Sequence, residues 1–293
     1  MESAKAKNKN GFINASGYIP FDFNIGSSEF GNFFIEDSIK LKTEADLSDL
    51  PFLSPYIDDL DSADGNYKMN LNIEGPIENL KRDGNIFIQN GVLYTQLLND
   101  PIKSINGEAL LTNNKLEIKE LYAKIDRYNA KNVSQVRHNT QIEGAINLKR
   151  FFNPYYNLKI MSQKASFRLL FLDIFGTTNL DLSIVGRDTV NISGSVEPED
   201  VHVFYEFATE DIGTAIAEDQ GTTLSYNLNI PFRNRAFFQN SQIDAEITGE
   251  LNLSQTGFQE VDFGGQLIVE DGSAFTHKDN FENLSGIVTF DNK

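Results

Sequence analysis

Apolar residues recur at every second position along most of the chain. Ile19, Phe21, Phe23 and Ile25 alternate with Pro20, Asp22 and Asn24, and Tyr67, Met69, Leu71 and Ile73 alternate with Lys68, Asn70 and Asn72. The period returns at Ile142 and Ile146, at Leu180, Leu182 and Ile184, and at Leu224, Tyr226, Leu228 and Ile230. Its longest run is Ile243, Ala245, Ile247, Gly249, Leu251 and Leu253, interleaved with Asp244, Glu246, Thr248, Glu250 and Asn252. A strand sends successive side chains to opposite faces, so each run predicts one apolar and one wet face. Strands buried on both faces would read as continuous apolar runs, so a mostly antiparallel, one-sided sheet is expected.

Helical signal is weak. Residues 46–60 predict a turn or two of helix, limited by Pro51 and Pro55. Residues 165–175 (ASFRLLFLDIF) read as a buried strand or as a short packing helix. Residues 205–220 lose the alternation and predict a loop with one helical turn at most, and residues 131–139, with His138, predict an exposed excursion or a hairpin tip.

Self-similarity organises the strands further. Ile-x-Gly closes the runs at Ile73-Glu74-Gly75, Ile142-Glu143-Gly144, Ile192-Ser193-Gly194 and Ile247-Thr248-Gly249. The stretch from Gly84 to Gly91 aligns without gaps on that from Gly265 to Gly272, and Ile105 to Leu111 then aligns on Leu284 to Phe290. Asn90-Gly91 and Asp271-Gly272 are favoured tight-turn pairs, so a strand, turn, strand unit is expected in both copies. Four segments follow: a partial unit over 1–44, a unit over 45–150, an irregular one over 151–222 with the 205–220 loop, and a truncated unit over 223–293. The second copy stops where Lys115 of the first leads into Leu116-Glu117-Ile118. A fragment or truncated product of a longer protein is the expectation.

Composition narrows the partners. The net charge is −17, from 42 acidic against 25 basic residues. Such a chain gains little from counterion release, so nucleic acid is a poor partner, and adsorption to an anionic membrane surface is disfavoured. There is no Cys and no Trp, against 23 Phe and 10 Tyr. Disulfides and thiolate metal sites are thereby excluded. No run reaches the roughly 18 apolar residues of a spanning helix, and the lysine-rich first ten residues lack the core of a signal peptide.

Reactive chemistry finds little foothold. His138, His202 and His277 lack metal-ligand spacing. The acidic pairs Asp58-Asp59 and Glu199-Asp200 have no calcium-loop frame, no serine has a nucleophile-elbow context, and no Gly-rich loop opens a helix. No catalytic residue, metal site or cofactor is expected, and the chain reads as a non-enzyme.

One family resemblance stands out. Ala45-Asp46-Leu47, Gly65, Ile73-Glu74-Gly75-Pro76, Gly84, Ile86, Asn90-Gly91, Pro101-Ile102 and Gly107 resemble the repeat of TamB-like proteins. The C-terminal part is similar to that family's end: Ile230-Pro231, Asn240, the strand from Asp244 to Leu251, Gly265-Gln266-Leu267, Asp271-Gly272 and the stretch from Phe281 to Phe290. Phe237 and Phe238 stand where the family often has a Trp. The resemblance covers roughly Ala45 to the end. It implies an elongated sheet of repeated hairpins curled into a half-pipe (a β-taco) with an apolar inner face, as in the AsmA-like lipid-transfer superfamily. It further implies a periplasmic place in a diderm bacterium, tethered by an N-terminal anchor, with phospholipid acyl chains and an outer-membrane Omp85-class barrel as partners. Its implied roles are lipid carriage between membranes and outer-membrane protein assembly. On that reading Tyr67, Met69, Leu71, Ile73, Ile142, Ile146, Leu180, Leu182, Ile184, Leu224, Tyr226, Leu228, Ile230, Ile243, Ile247, Leu251 and Leu253 line a lipid groove. The residues alone leave the rival of a structural or adhesive β-solenoid or sandwich with a dry core. A carbohydrate-binding sandwich, which would want exposed aromatics, is disfavoured by the lack of Trp.

Overall fold

The structure is a computed structural model that describes residues 3–19, 38–50, 60–76, 79–96, 98–126, 137–151, 153–169, 174–204, 223–257, 259–277 and 279–290. These residues form strands throughout. The first eight are β1 (Ser3–Asn8), β2 (Gly11–Tyr18), β3 (Ser38–Asp49), β4 (Leu60–Pro76), β5 (Lys81–Thr95), β6 (Ile102–Thr112), β7 (Lys115–Lys124) and β8 (Thr140–Asn147). The rest are β9 (Tyr155–Leu169), β10 (Ile174–Gly186), β11 (Thr189–Val203), β12 (Thr223–Gln239), β13 (Ile243–Thr256), β14 (Asp262–His277) and β15 (Asp279–Phe290).

All fifteen lie in one sheet, in chain order from β1 to β15. Every neighbouring pair is antiparallel except β11 and β12, which run parallel. The expected all-β, mostly antiparallel architecture is therefore present. A parallel pair needs a crossover rather than a tight turn, and the segment joining β11 to β12 includes the expected 205–220 loop, which lies outside the described residues. So do Phe21 to Ile25 and residues 51–59 and 131–136. Asp46 belongs to β3 rather than to a helical turn, and the described residues of 165–175 are strand. The segment boundary at 44/45 falls inside β3.

The strands are longer than the pattern predicted, because the two Gly pairs are not turns. Asn90-Gly91 lies inside β5 and Asp271-Gly272 inside β14. A type I′ turn needs positive φ at both central residues. Here only Asn90 of the first pair has it (φ 53) and only Gly272 of the second (φ 94). Ile88 faces Gly107 while Gly91 faces Ile105, so β5 carries one more residue than β6 over that interval. The same extra residue shows against β4, where Asn66 faces Gln89 and Asp64 faces Val92. This is a β-bulge, which bends a strand and raises its twist without ending it. The Asn106 side chain accepts the Asn90 N–H at 3.0 Å and holds the bulge. The tight turn of the unit is instead Asn113-Asn114 between β6 and β7, with φ of 48 and 68.

The internal repeat survives as register. Gly84, Ile86 and Ile88 face Leu111, Ala109 and Gly107, and the aligned Gly265, Leu267 and Val269 face Phe290, Val288 and Gly286. The Ile-x-Gly tripeptides also sit within strands rather than closing them all: Gly144 and Gly194 are inside β8 and β11. At Gly144, with φ 126, a Cβ would lie 2.2 Å from the Asn157 carbonyl oxygen of the next strand. Only glycine permits that close, sharply bent crossing.

Burial is thin. A compact chain of this mass exposes about 12,500 Å² by the usual size scaling, whereas this one exposes 19552 Å². The sheet has two rims, an upper one carrying the β6–β7, β8–β9 and β10–β11 connections and a lower one carrying β5–β6, β7–β8 and β12–β13. Most buried side chains gather near the lower rim and are small: Ala63, Ala123, Thr140, Ser162, Ala165, Thr178, Val201, Ala236 and Ala245. Backbone bonds draw this rim together. Ser166 N donates to Ile125 O across the short strand β8 at 3.0 Å, and Asn99 N, before β6, donates to Arg168 O in β9 at 3.0 Å. Three strand spacings of about 4.8 Å would separate β6 and β9 in a flat sheet, so the sheet bends back on itself here.

Gly144→Ala is expected to destabilise the protein by about 1–3 kcal/mol, since φ is positive and the neighbouring backbone is in the way. Gly286→Ala, where nothing lies within 4 Å, is expected to stay within about 0.5 kcal/mol. Urea unfolding followed by circular dichroism measures both.

Candidate functional site

Side chains that face one another across a ladder point to the same side of the sheet, so the register assigns every residue to a face. One row runs Leu47, Tyr67, Ile88, Gly107, Leu121 and Ile142 through β3 to β8. It continues as Ile160, Leu182, Gly194, Leu228, Leu253 and Phe263 through β9 to β14. No polar side chain interrupts it. Eleven spacings of about 4.8 Å make the row about 53 Å long measured along the sheet, more than the roughly 30 Å of a bilayer's hydrocarbon core.

The predicted positions fall on this one face. Met69, Leu71 and Ile73 follow Tyr67 on β4, Ile146 follows Ile142 on β8, and Leu180 and Ile184 flank Leu182 on β10. Leu224, Tyr226 and Ile230 flank Leu228 on β12, and Leu251, Ile247 and Ile243 follow Leu253 on β13. None of them is sealed. All are half-buried except Leu224, which is 42% exposed.

The opposite face is polar and laced across strands. Lys68 pairs with Asp46 and Lys159 with Asp181, each at 3.3 Å. The Asn229 amide donates to Glu250 Oε1 at 2.6 Å and to Asn252 Oδ1 at 3.1 Å. These exposed pairs add little stability singly, but they mark this face as the wet one.

Two features escaped the sequence. The first is an aromatic ladder on the polar face across the parallel junction. The Phe175, His202 and Phe237 rings stack in turn at 5.1 and 4.8 Å, with the Arg168 guanidinium 5.9 Å from the Phe175 ring. Its members are far apart in the chain, and only the registers of β9 to β12 unite them. The second is Arg82, which faces Ile73 and so lies on the apolar face, at the upper rim. Period two carried back from Gly84 would have found it.

The His138 and Tyr122 rings lie 4.5 Å apart with their planes tilted by 34°. Among the described residues no group of three His, Asp or Glu side chains is placed to hold a metal ion. Compared with protein-family models, curated proteins and solved structures, the chain matches none.

The ladder at the parallel junction is expected to be cooperative. His202→Ala and Phe237→Ala, combined in a double-mutant cycle of urea unfolding, are expected to couple by about 0.5–1.5 kcal/mol. Additive losses would mean that the rings only sit side by side.

Proposed function

We propose that this chain is a non-enzymatic segment of a cell-envelope protein whose apolar face shelters lipid acyl chains as they pass between inner and outer membranes. The observation that carries the reading is the unbroken apolar row from β3 to β14, half-exposed where a dry core would be sealed. A one-sided sheet must cover its apolar face. Among the described residues no second sheet or helix does so. A half-pipe curled about that face, tightened at the lower rim and open above, leaves a trough for an apolar guest. Each Å² removed from water there contributes about 25 cal/mol, without the precisely placed groups that catalysis needs.

The motif resemblance supplies the setting: a TamB-like protein in the periplasm of a diderm bacterium, anchored in the inner membrane, with an Omp85-class barrel as outer-membrane partner. Assistance to outer-membrane protein assembly is the second role that the motif resemblance implies.

Purified protein incubated with vesicles carrying fluorescent phospholipid is expected to take up the probe. Leu228→Glu is expected to cut uptake several-fold while circular dichroism keeps the strand signal, and Asn227→Glu, on the wet face, is expected to leave uptake unchanged. No uptake by the unsubstituted chain, or unfolding of Leu228→Glu, would replace the trough with a dry core.

A further inference from the structure

The upper rim differs from the rest of this acidic protein. Lys81, Arg82, Lys149, Arg150 and Arg187 sit in or beside its connections, and the aspartates among them are turned to other work. Asp83 Oδ1 accepts the Asn113 N–H at 2.8 Å, and Asp188 Oδ1 accepts from the Asn153 amide at 2.6 Å. Among the described residues neither Arg82 nor Arg187 pairs with a carboxylate.

Arg82 is held rather than free. Its Nη1 donates to Asn114 Oδ1 at 2.9 Å and to the Leu148 carbonyl at 3.3 Å, and its guanidinium lies 5.6 Å from the centre of the Phe151 ring. Nη2 and Nε keep their donors unused and are not sealed away. A guanidinium fixed on one side, with donors still open on the other, suits an oxyanion with several acceptor oxygens.

We propose that Arg82 seats the phosphate of an anionic phospholipid whose acyl chains lie on the apolar face. Arg82 shares that face with Ile73 and Leu71, so a headgroup held there points its chains along the strands toward the tight lower rim. The occupant is a lipid rather than free phosphate because Arg82 faces Ile73, on the side of the sheet that carries Leu71 and Tyr67. The proposal rests on the trough reading and adds to it a headgroup preference and an orientation.

The test compares capture of fluorescent phosphatidylglycerol and of diacylglycerol with the same acyl chains, from neutral vesicles, by the full chain. The unsubstituted protein is expected to favour phosphatidylglycerol. Arg82→Gln is expected to lose that preference about tenfold, the loss expected for charge-assisted hydrogen bonds, while its diacylglycerol capture is unchanged. If Arg82→Gln fails to fold, Arg82→Lys decides, since it keeps the charge without the fork and is expected to weaken the preference. Equal capture of both lipids by the unsubstituted chain, or a preference that survives in the Arg82 variant, overturns the seat and leaves the trough standing. Full competition by inorganic phosphate overturns the lipid as its occupant. Capture of neither lipid overturns trough and seat together.

Discussion

Period two in the strands and one continuous ladder of backbone hydrogen bonds constrain everything else in this protein. A slip of one residue between any two strands would turn every side chain beyond it to the other face. The row from Leu47 to Phe263 would then be cut, with apolar residues on water beyond the slip. Antiparallel and parallel pairs both honour the constraint. At the β11–β12 junction, where the chain reverses its habit, Gly194 still faces Leu228 and Ile192 still faces Tyr226. The aromatic ladder on the other side spans the same junction, so that register is supported from both faces.

Curvature is the second requirement, and it is met by irregularities that leave the faces intact. Bulges at Asn90 and around Asp271 add residues to one strand while the register resumes beyond them. Glycines on the apolar face, such as Gly144, let strands cross closely. Alanine, serine and threonine fill the lower rim, where Thr140 Oγ1 lies 2.9 Å from Ser162 Oγ and larger side chains would hold the strands apart. The upper rim has larger residues and fewer buried ones. The buried side chains therefore concentrate at the lower rim.

Charge follows the same division. The polar face carries paired lysines and aspartates that keep it solvated, while at the upper rim, among the described residues, Arg82 pairs with no carboxylate. For an amphiphile, apolar face and basic rim present the two chemistries in the order that a lipid presents them. A sealed sandwich would need neither the half-exposed row nor an arginine on its apolar side.

The strand identity, the single sheet face and the grouping of Leu228, Ile247 and their partners were legible from the sequence. Period two is a local property, and each run fixes its own faces before any partner is known. The repeat was legible too, and register later gave it physical meaning. The fate of Asn90-Gly91 was not, because a turn and a bulge use the same residues. What separates them is whether Val92 and Leu93 find a ladder partner, and that partner, Ala63 and Asp64, lies upstream of the visible alternation in β4. The parallel junction, the drawn-together lower rim and the placing of Arg82 against Leu148 likewise depend on strands distant in the chain. Local chemistry determined what each strand presents; long-range hydrogen bonding decided where the strands bulge, which strands meet at the lower rim and where Arg82 stands.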